Sequence, residues 1–162
     1  MSRWVVSRAH PAGFTLIELL VVLAVLGILA LAALPLAEVS VQRDREHELK
    51  RALWEIRDAI DTYKKAVDAG SVAPAPGSAG YPTGLAALVA GVPNLKAAGK
   101  TQFFLRRVPR DPFADAGTKG EQSWGLRSFQ SPANAPRPGD DVYDVYSLSD
   151  KIGLNGVPLK DW

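Results

Sequence analysis

Residues 19–37 read LLVVLAVLGILALAALPLA, nineteen consecutive positions without a charge. Nineteen residues of helix rise roughly 28 Å, about the thickness of bilayer hydrocarbon. Just before them stands Phe14-Thr15-Leu16-Ile17-Glu18, so the apolar run begins at Phe14 and is interrupted once, by Glu18. A membrane helix over residues 14–37 is the reading around which the rest of the chain is organised. Arg3 and Arg8 precede it, with no acid in the first 13 residues. By the positive-inside rule this keeps the amino terminus cytoplasmic and sends the chain beyond about residue 40 outward.

The residues alone leave three readings of this segment open. Ala30-Leu31-Ala32 has the small-x-small pattern of a secretory cleavage site, behind an apolar core. The run also fits a plain signal anchor. Glu18 speaks against both, because a carboxylate at mid-membrane costs on the order of 2.5–3.5 kcal/mol, less where it snorkels to the interface from a helix end. The third reading gives Glu18 a task.

The stretch Gly13-Phe14-Thr15-Leu16-Ile17-Glu18, behind a short basic leader and ahead of an apolar helix, resembles the prepilin signal of the type IV pilin-like superfamily. The resemblance implies cutting between Gly13 and Phe14 by a dedicated prepilin peptidase of the inner membrane, with methylation of the new Phe14 amine. It makes Glu18 the fifth residue of the mature chain. It also places Pro35 where relatives carry a proline, with Gly27 eight residues before it. A free ammonium on Phe14 lies within a helical turn of Glu18, or of a neighbouring copy's Glu18. Such a pair in hydrocarbon is far less costly than a lone carboxylate, so pairing between copies would set an axial stagger. Phe14, Glu18, Gly27 and Pro35 are therefore the expected assembly residues.

Past the membrane the apolar period continues. Leu49, Leu53, Ile56, Ile60, Tyr63 and Val67 are spaced 4, 3, 4, 3 and 4, between mixed-charge positions such as Glu46, Glu48, Lys50, Arg57 and Lys64 that read as a solvated face. One helix from Phe14 to about Ala69 is expected, its outer half packing on the protein's own head, with a kink or loosening between Gly27 and Pro35. Gly70 ends it, and SVAPAPGSAG (71–80) is a connector. A short helix starting at Thr83, an extended segment over 103–113, strands at 124–129 and 142–148, and an ordered turn system over 149–162 complete the chain. The expected class is α+β, a long amino-terminal helix packed against a small antiparallel sheet. Its segments are a leader (1–13), a membrane and assembly helix (14–37), its amphipathic continuation (38–69) and a periplasmic head (70–162).

Composition removes other classes. The chain has 162 residues, 47% hydrophobic and 22% charged, with no cysteine. That suits one small domain with an appendage and excludes disulfides, thiolate metal sites and thiol catalysis. The only histidines are His10 and His47, so no Ser-His-Asp set is credible. Net charge is +2, and residues 14–162 balance to zero, so no nucleic-acid surface is announced. Arg106, Arg107 and Arg110 beside Phe103 and Phe104 form a small basic patch, read as solvated or salt-bridged before single-strand binding. Trp54, Trp124 and Trp162 are expected in the core or in interfaces. Asp140, Asp141 and Asp144 are expected at a solvated strand entrance.

The head segments YPTGLAALV (81–89), FFLRRVPRDPF (103–113) and DVYDVYSLSD (141–150) are similar to the major pseudopilin of type II secretion, the G subunit of the general secretion pathway. This second resemblance implies a non-enzymatic, single-pass protein of the bacterial inner membrane. Its partners would be further copies in a helical filament, minor pseudopilins, the prepilin peptidase and an inner-membrane assembly platform, with no nucleic acid. It also implies a calcium loop, for which Leu148 (carbonyl), Asp150, Asn155 and Asp161 are the candidate ligands. Calcium wants six to eight oxygens, and this loop has only two carboxylates. The sequence departs from that family where Asp111-Pro112-Phe113 is followed by Ala114-Asp115-Ala116-Gly117. The remaining alternatives are a type IV or competence pilin, a membrane-anchored periplasmic protein of other function, and a soluble domain released at Ala32.

Overall fold

Helix α1 runs from Leu16 to Asp68, 53 residues without an interruption in secondary structure. The computed structural model describes residues 13–162, and within α1 it leaves out the side chains of residues 32–36. The leader (Arg3, Arg8 and His10) lies outside the described residues, whereas the backbone from Gly27 to Pro35, where a kink or loosening is expected, is helical throughout. The chain divides into two compact units, Met1–Val41 and Gln42–Trp162.

Both ends of α1 follow from local sequence. At its start the Glu18 N–H donates to Thr15 Oγ1 at 3.3 Å and the Leu19 N–H to the Thr15 carbonyl at 3.2 Å. Thr15 therefore caps the helix, and Glu18 stands at the third helical position, the Thr-x-x-Glu spacing of a capping box. At the other end Gly70 adopts φ 69°, its N–H donates to the Val67 carbonyl and the Ser71 N–H to the Ala66 carbonyl, both at 2.8 Å. That paired arrangement needs a left-handed residue at Gly70, which glycine adopts without penalty from a Cβ.

In the second unit the apolar stripe of α1 is one wall of the core. Leu49, Leu53, Ile56, Ile60 and Tyr63 are buried, joined by Ala52 and Ala59, and Val67 is half-buried. They pack against Val72, Leu85, Leu88, Leu105, Trp124, Val142, Val145 and Leu159. At about 1.5–3 kcal/mol per fully buried large aliphatic side chain, this shared face holds the unit together.

The remaining elements are short. Helix α2 (Leu85–Ala90) is followed by β1 (Val92–Pro93) and β2 (Thr101–Gln102), then by β3 (Trp124–Arg127) and β4 (Asp144–Ser147). Strands β3 and β4 pair antiparallel, Trp124 opposite Ser147 and Arg127 opposite Asp144. Gly125 is required in that pairing, since a Cβ there would lie 2.3 Å from the Tyr146 ring. With α1 against small antiparallel sheets, the fold is α+β, in keeping with a pilin-like architecture.

Several expectations need correction. Helix α2 is capped by Gly84 without a side-chain bond, not by Thr83. The β1–β2 pair was not anticipated; Asn94 shapes its turn by accepting from the Lys96 and Ala97 N–H groups. Strand β3 stops at Arg127, because the Ser128 N–H turns to the Arg137 carbonyl and the Phe129 N–H to Asp141 Oδ1. Of the tryptophans expected in the core or in interfaces, Trp124 is in the core with its Nε1–H on the Pro109 carbonyl at 2.8 Å, and Trp54 is outside it, exposed on α1.

Candidate functional site

The peptide bond expected to be cut, Gly13–Phe14, lies in non-helical chain just ahead of the Thr15 cap. Both residues are exposed, Phe14 at 76%. The cap explains why: the helix begins one residue too late to draw this bond into its hydrogen-bonded ladder, so the backbone stays open to a protease. A Cβ added at Gly13 would meet nothing within 4 Å. Among the described residues nothing in the fold demands glycine there.

From Phe14 to Leu31 the first unit exposes apolar side chains all round, including Leu16, Ile17, Leu20, Leu23, Leu26 and Ile28. A helix without a polar face is at home only in an apolar surrounding. Gly27 also has open space beside it, which lets another helix approach the backbone closely. Among the described residues no helix is long and apolar enough to cross a membrane. Glu18 stands exposed in the first turn, where its charge favours the positive end of the helix dipole.

Two of the candidate calcium residues line separate clefts. Leu148 lines a cleft with Asp111 and Ser149, Asp161 a different one with Arg57 and Lys160, and neither includes Asp150 or Asn155. Asn155 Oδ1 already accepts the Val157 N–H at 3.0 Å. Among the described residues no group of three or more His, Asp or Glu side chains is placed to hold a metal ion. The loop closes through its own bonds instead: Ile152 bridges Pro158, the Gly153 N–H reaches the Val157 carbonyl at 2.9 Å, and Leu159 is buried.

The sequence places Glu46, Asp141 and Asp144 on solvated surfaces and gives Asp111 no such setting, yet all four do structural work. Asp111 is 1% exposed and accepts the Phe113 N–H at 2.7 Å and the Ser147 hydroxyl at 2.6 Å, while its own N–H donates to Ser123 Oγ. It ties the 109–123 segment to β4. Asp141 is buried and accepts from the Ala79 and Phe129 N–H groups. Asp144 pairs with Arg57 at 2.7 Å, and Arg57 also donates to the Val145 and Trp162 carbonyls. Glu46, also buried, accepts from the Gln42 side chain and the Leu154 N–H. A buried carboxylate is tolerated because donors surround it; the periodic charge pattern of α1 does not reveal which acids meet such donors.

Within the basic patch Phe103 is exposed. Phe104 packs against Tyr63 with ring centroids 5.2 Å apart, and Arg110 donates to the Ala114 and Asp115 carbonyls, leaving Arg106 and Arg107 in solvent. Burial raises the Tyr63 phenol above its usual value of 10.0, and Tyr81 is raised chiefly by burial and then by neighbouring Tyr143.

One known family model matches the chain: the prokaryotic N-terminal methylation motif, over residues 8–34. It covers Gly13, Phe14, Glu18 and Gly27, and it supports a type IV pilin-like protein. No curated protein and no solved structure matches the chain.

Proposed function

We propose that this chain is a pseudopilin, the structural subunit of a type II secretion pseudopilus. Trimmed after Gly13 and methylated on Phe14, it is held in the bacterial inner membrane by residues 14–37 with its head in the periplasm. Copies then stack through their amino-terminal helices into a fibre that drives protein export through an outer-membrane channel. A heterologous contact that does not close on itself generates such a fibre. Minor pseudopilins and an inner-membrane assembly platform are the further partners.

One observation carries the reading: an exposed, non-helical Gly13–Phe14 bond stands directly before a capped helix whose first half is apolar on every face and bears one carboxylate in its first turn. Once the bond is cut, the new ammonium sits beside that carboxylate. In hydrocarbon the pair satisfies both charges, within one copy or between two, and only a second copy can also cover the helix. The absence of cysteine favours a pseudopilin over a type IV pilus subunit, whose head is usually closed by a disulfide.

The test is mass spectrometry of the mature protein together with two variants. N-methylphenylalanine at position 14 supports the reading, and a chain starting at Ala33 removes it. Glu18→Gln retains the capping-box side chain but not the charge, so it should be trimmed normally and assemble poorly, as should Glu18→Ala. Full fibre yield from Glu18→Gln would leave the carboxylate with a capping role only and refute the pairing.

A further inference from the structure

Two exposed aromatic residues of the Gln42–Trp162 unit stay out of its core, and each stands beside a pair of like charges. Trp54 is 74% exposed on α1. Asp58 and Asp61 follow it at spacings of 4 and 3, which puts all three on one stripe of the helix, and both acids are exposed. Exposed Arg51 and Lys65 bound the stripe at its two ends. The other nearby bases are occupied, Lys50 over the Trp162 ring at 4.5 Å and Arg57 on Asp144 at 2.7 Å. The second aromatic, Phe103, is 64% exposed beside exposed Arg106 and Arg107. Its exposure is not slackness. The next two residues, Phe104 and Leu105, both donate their N–H groups to the Leu88 carbonyl at 3.0 Å, and Phe104 packs on Tyr63.

These charges find no partner within their own copy. Among the described residues the ion pairs join Arg57 and Arg127 to Asp144 and Lys64 to Asp68, so Asp58, Asp61, Arg106 and Arg107 are all left out. The acidic stripe also lies on a different side of α1 from Arg107. That arginine lines a cleft with Glu48 and Glu55. At 3.6 residues per turn, Trp54 and Asp61 lie roughly 100–140° around the helix from those two.

A second copy fits both surfaces. Two acids beside an indole face two guanidinium groups beside a phenyl ring, so the patches match in charge and in kind. Opposite charges across an interface fix its register, and aromatic and arginine side chains are the types that anchor such contacts. A guanidinium also stacks favourably on an indole face. We propose that the stripe of Trp54, Asp58 and Asp61 on one copy docks on Phe103, Arg106 and Arg107 of the next. Each copy carries both surfaces, so the contact is heterologous, does not close on itself, and repeats along a row of copies. It rests on the fibre reading under Proposed function and adds to it a contact made by the Gln42–Trp162 units.

The test is a charge swap in the full chain, produced with its assembly machinery and read as fibre yield. Asp58→Arg with Asp61→Arg should lower the yield about fivefold, and so should Arg106→Glu with Arg107→Glu, since one exposed pair is worth up to that factor in a contact. All four positions are exposed, so the melting temperature should stay that of the parent. The four substitutions together should restore the yield, and Trp54→Ala should lower it with the charges intact. The chain has no cysteine, so Asp61→Cys with Arg106→Cys gives a direct readout. A short bis-maleimide should produce a ladder of multimers from one doubly substituted chain, and dimers only when the two substitutions sit in separate co-expressed chains. If the parent forms fibres while both reversals keep full yield and the ladder is missing, the contact is refuted and the fibre stands. If either reversal lowers the yield and the fourfold variant stays low, the stripe meets a different protein and the proposal fails. If the parent itself forms no fibre, the fibre reading fails and this inference with it.

Discussion

Replacing Asp111 by alanine removes the single acceptor that joins the 109–123 segment to β4, and its consequence can be worked from the geometry. Asp111 is 1% exposed, so water does not replace what is lost. Two donors lose their partner, the Phe113 N–H at 2.7 Å and the Ser147 hydroxyl at 2.6 Å. Hydrogen bonds to a carboxylate contribute about 1.5–3 kcal/mol each, and an unpaired buried donor costs a similar amount. Ser147 is fully buried and its oxygen also accepts the Ser149 N–H, so its hydroxyl has little freedom to turn elsewhere. A loss of about 3–4 kcal/mol follows, at the upper end for a single substitution. Asp111→Asn keeps an acceptor for Phe113 and places a donor opposite Ser147, which should limit the loss to about 1–2 kcal/mol. The assay is thermal unfolding of the full chain in detergent micelles, followed by near-ultraviolet circular dichroism of the aromatic core. For a cooperative unit of this size 1 kcal/mol is about 4 °C, so the alanine variant should melt roughly 12–16 °C lower, with asparagine between it and the parent. An alanine variant within about 1 kcal/mol of the parent would show that the carboxylate is not the tie the geometry makes it.

Further expectations concern processing, pH and metal. Gly13→Leu should leave the melting temperature unchanged, since a Cβ there meets nothing, and yet accumulate as untrimmed precursor by mass spectrometry; normal trimming would remove Gly13 from the recognition site. Burial raises the Tyr63 phenol above 10.0, so its contribution to stability is fully present below pH 10 and declines as pH rises through the folded value, where the unfolded chain has already released its proton. Melting temperatures should fall between pH 9.5 and 11 and fall less in Tyr63→Phe; equal slopes would exclude Tyr63 as a contributor. Because the Asn155 Oδ1 is already taken by the Val157 N–H and the loop offers only two carboxylates, millimolar calcium and chelator should give the same melting temperature, and a rise of several degrees with calcium would show that a site forms.

The elements that sequence determines most directly here are those governed by local or periodic physics. Gly13 through Glu18, the uncharged run to Ala37 and the stripe from Leu49 to Val67 are read from neighbours a few positions away, and so is the stop at Gly70. The Thr15 cap is legible in the same way, as Thr-x-x-Glu ahead of an apolar run. What only the tertiary structure decided are the polar partners. Glu46 and Glu48 sit two residues apart in the same charged stretch, yet only Glu46 turns under Leu154, 108 positions away. Asp111 and Ser147 meet across 36 residues, and Arg57 finds Asp144 across 87. Periodicity says which face of a helix is apolar because burial of apolar area is additive and directionless. Whether a carboxylate is solvated or buried depends on the few donors that the folded chain brings within 3 Å, and those come from segments whose separation in sequence carries no trace of their contact.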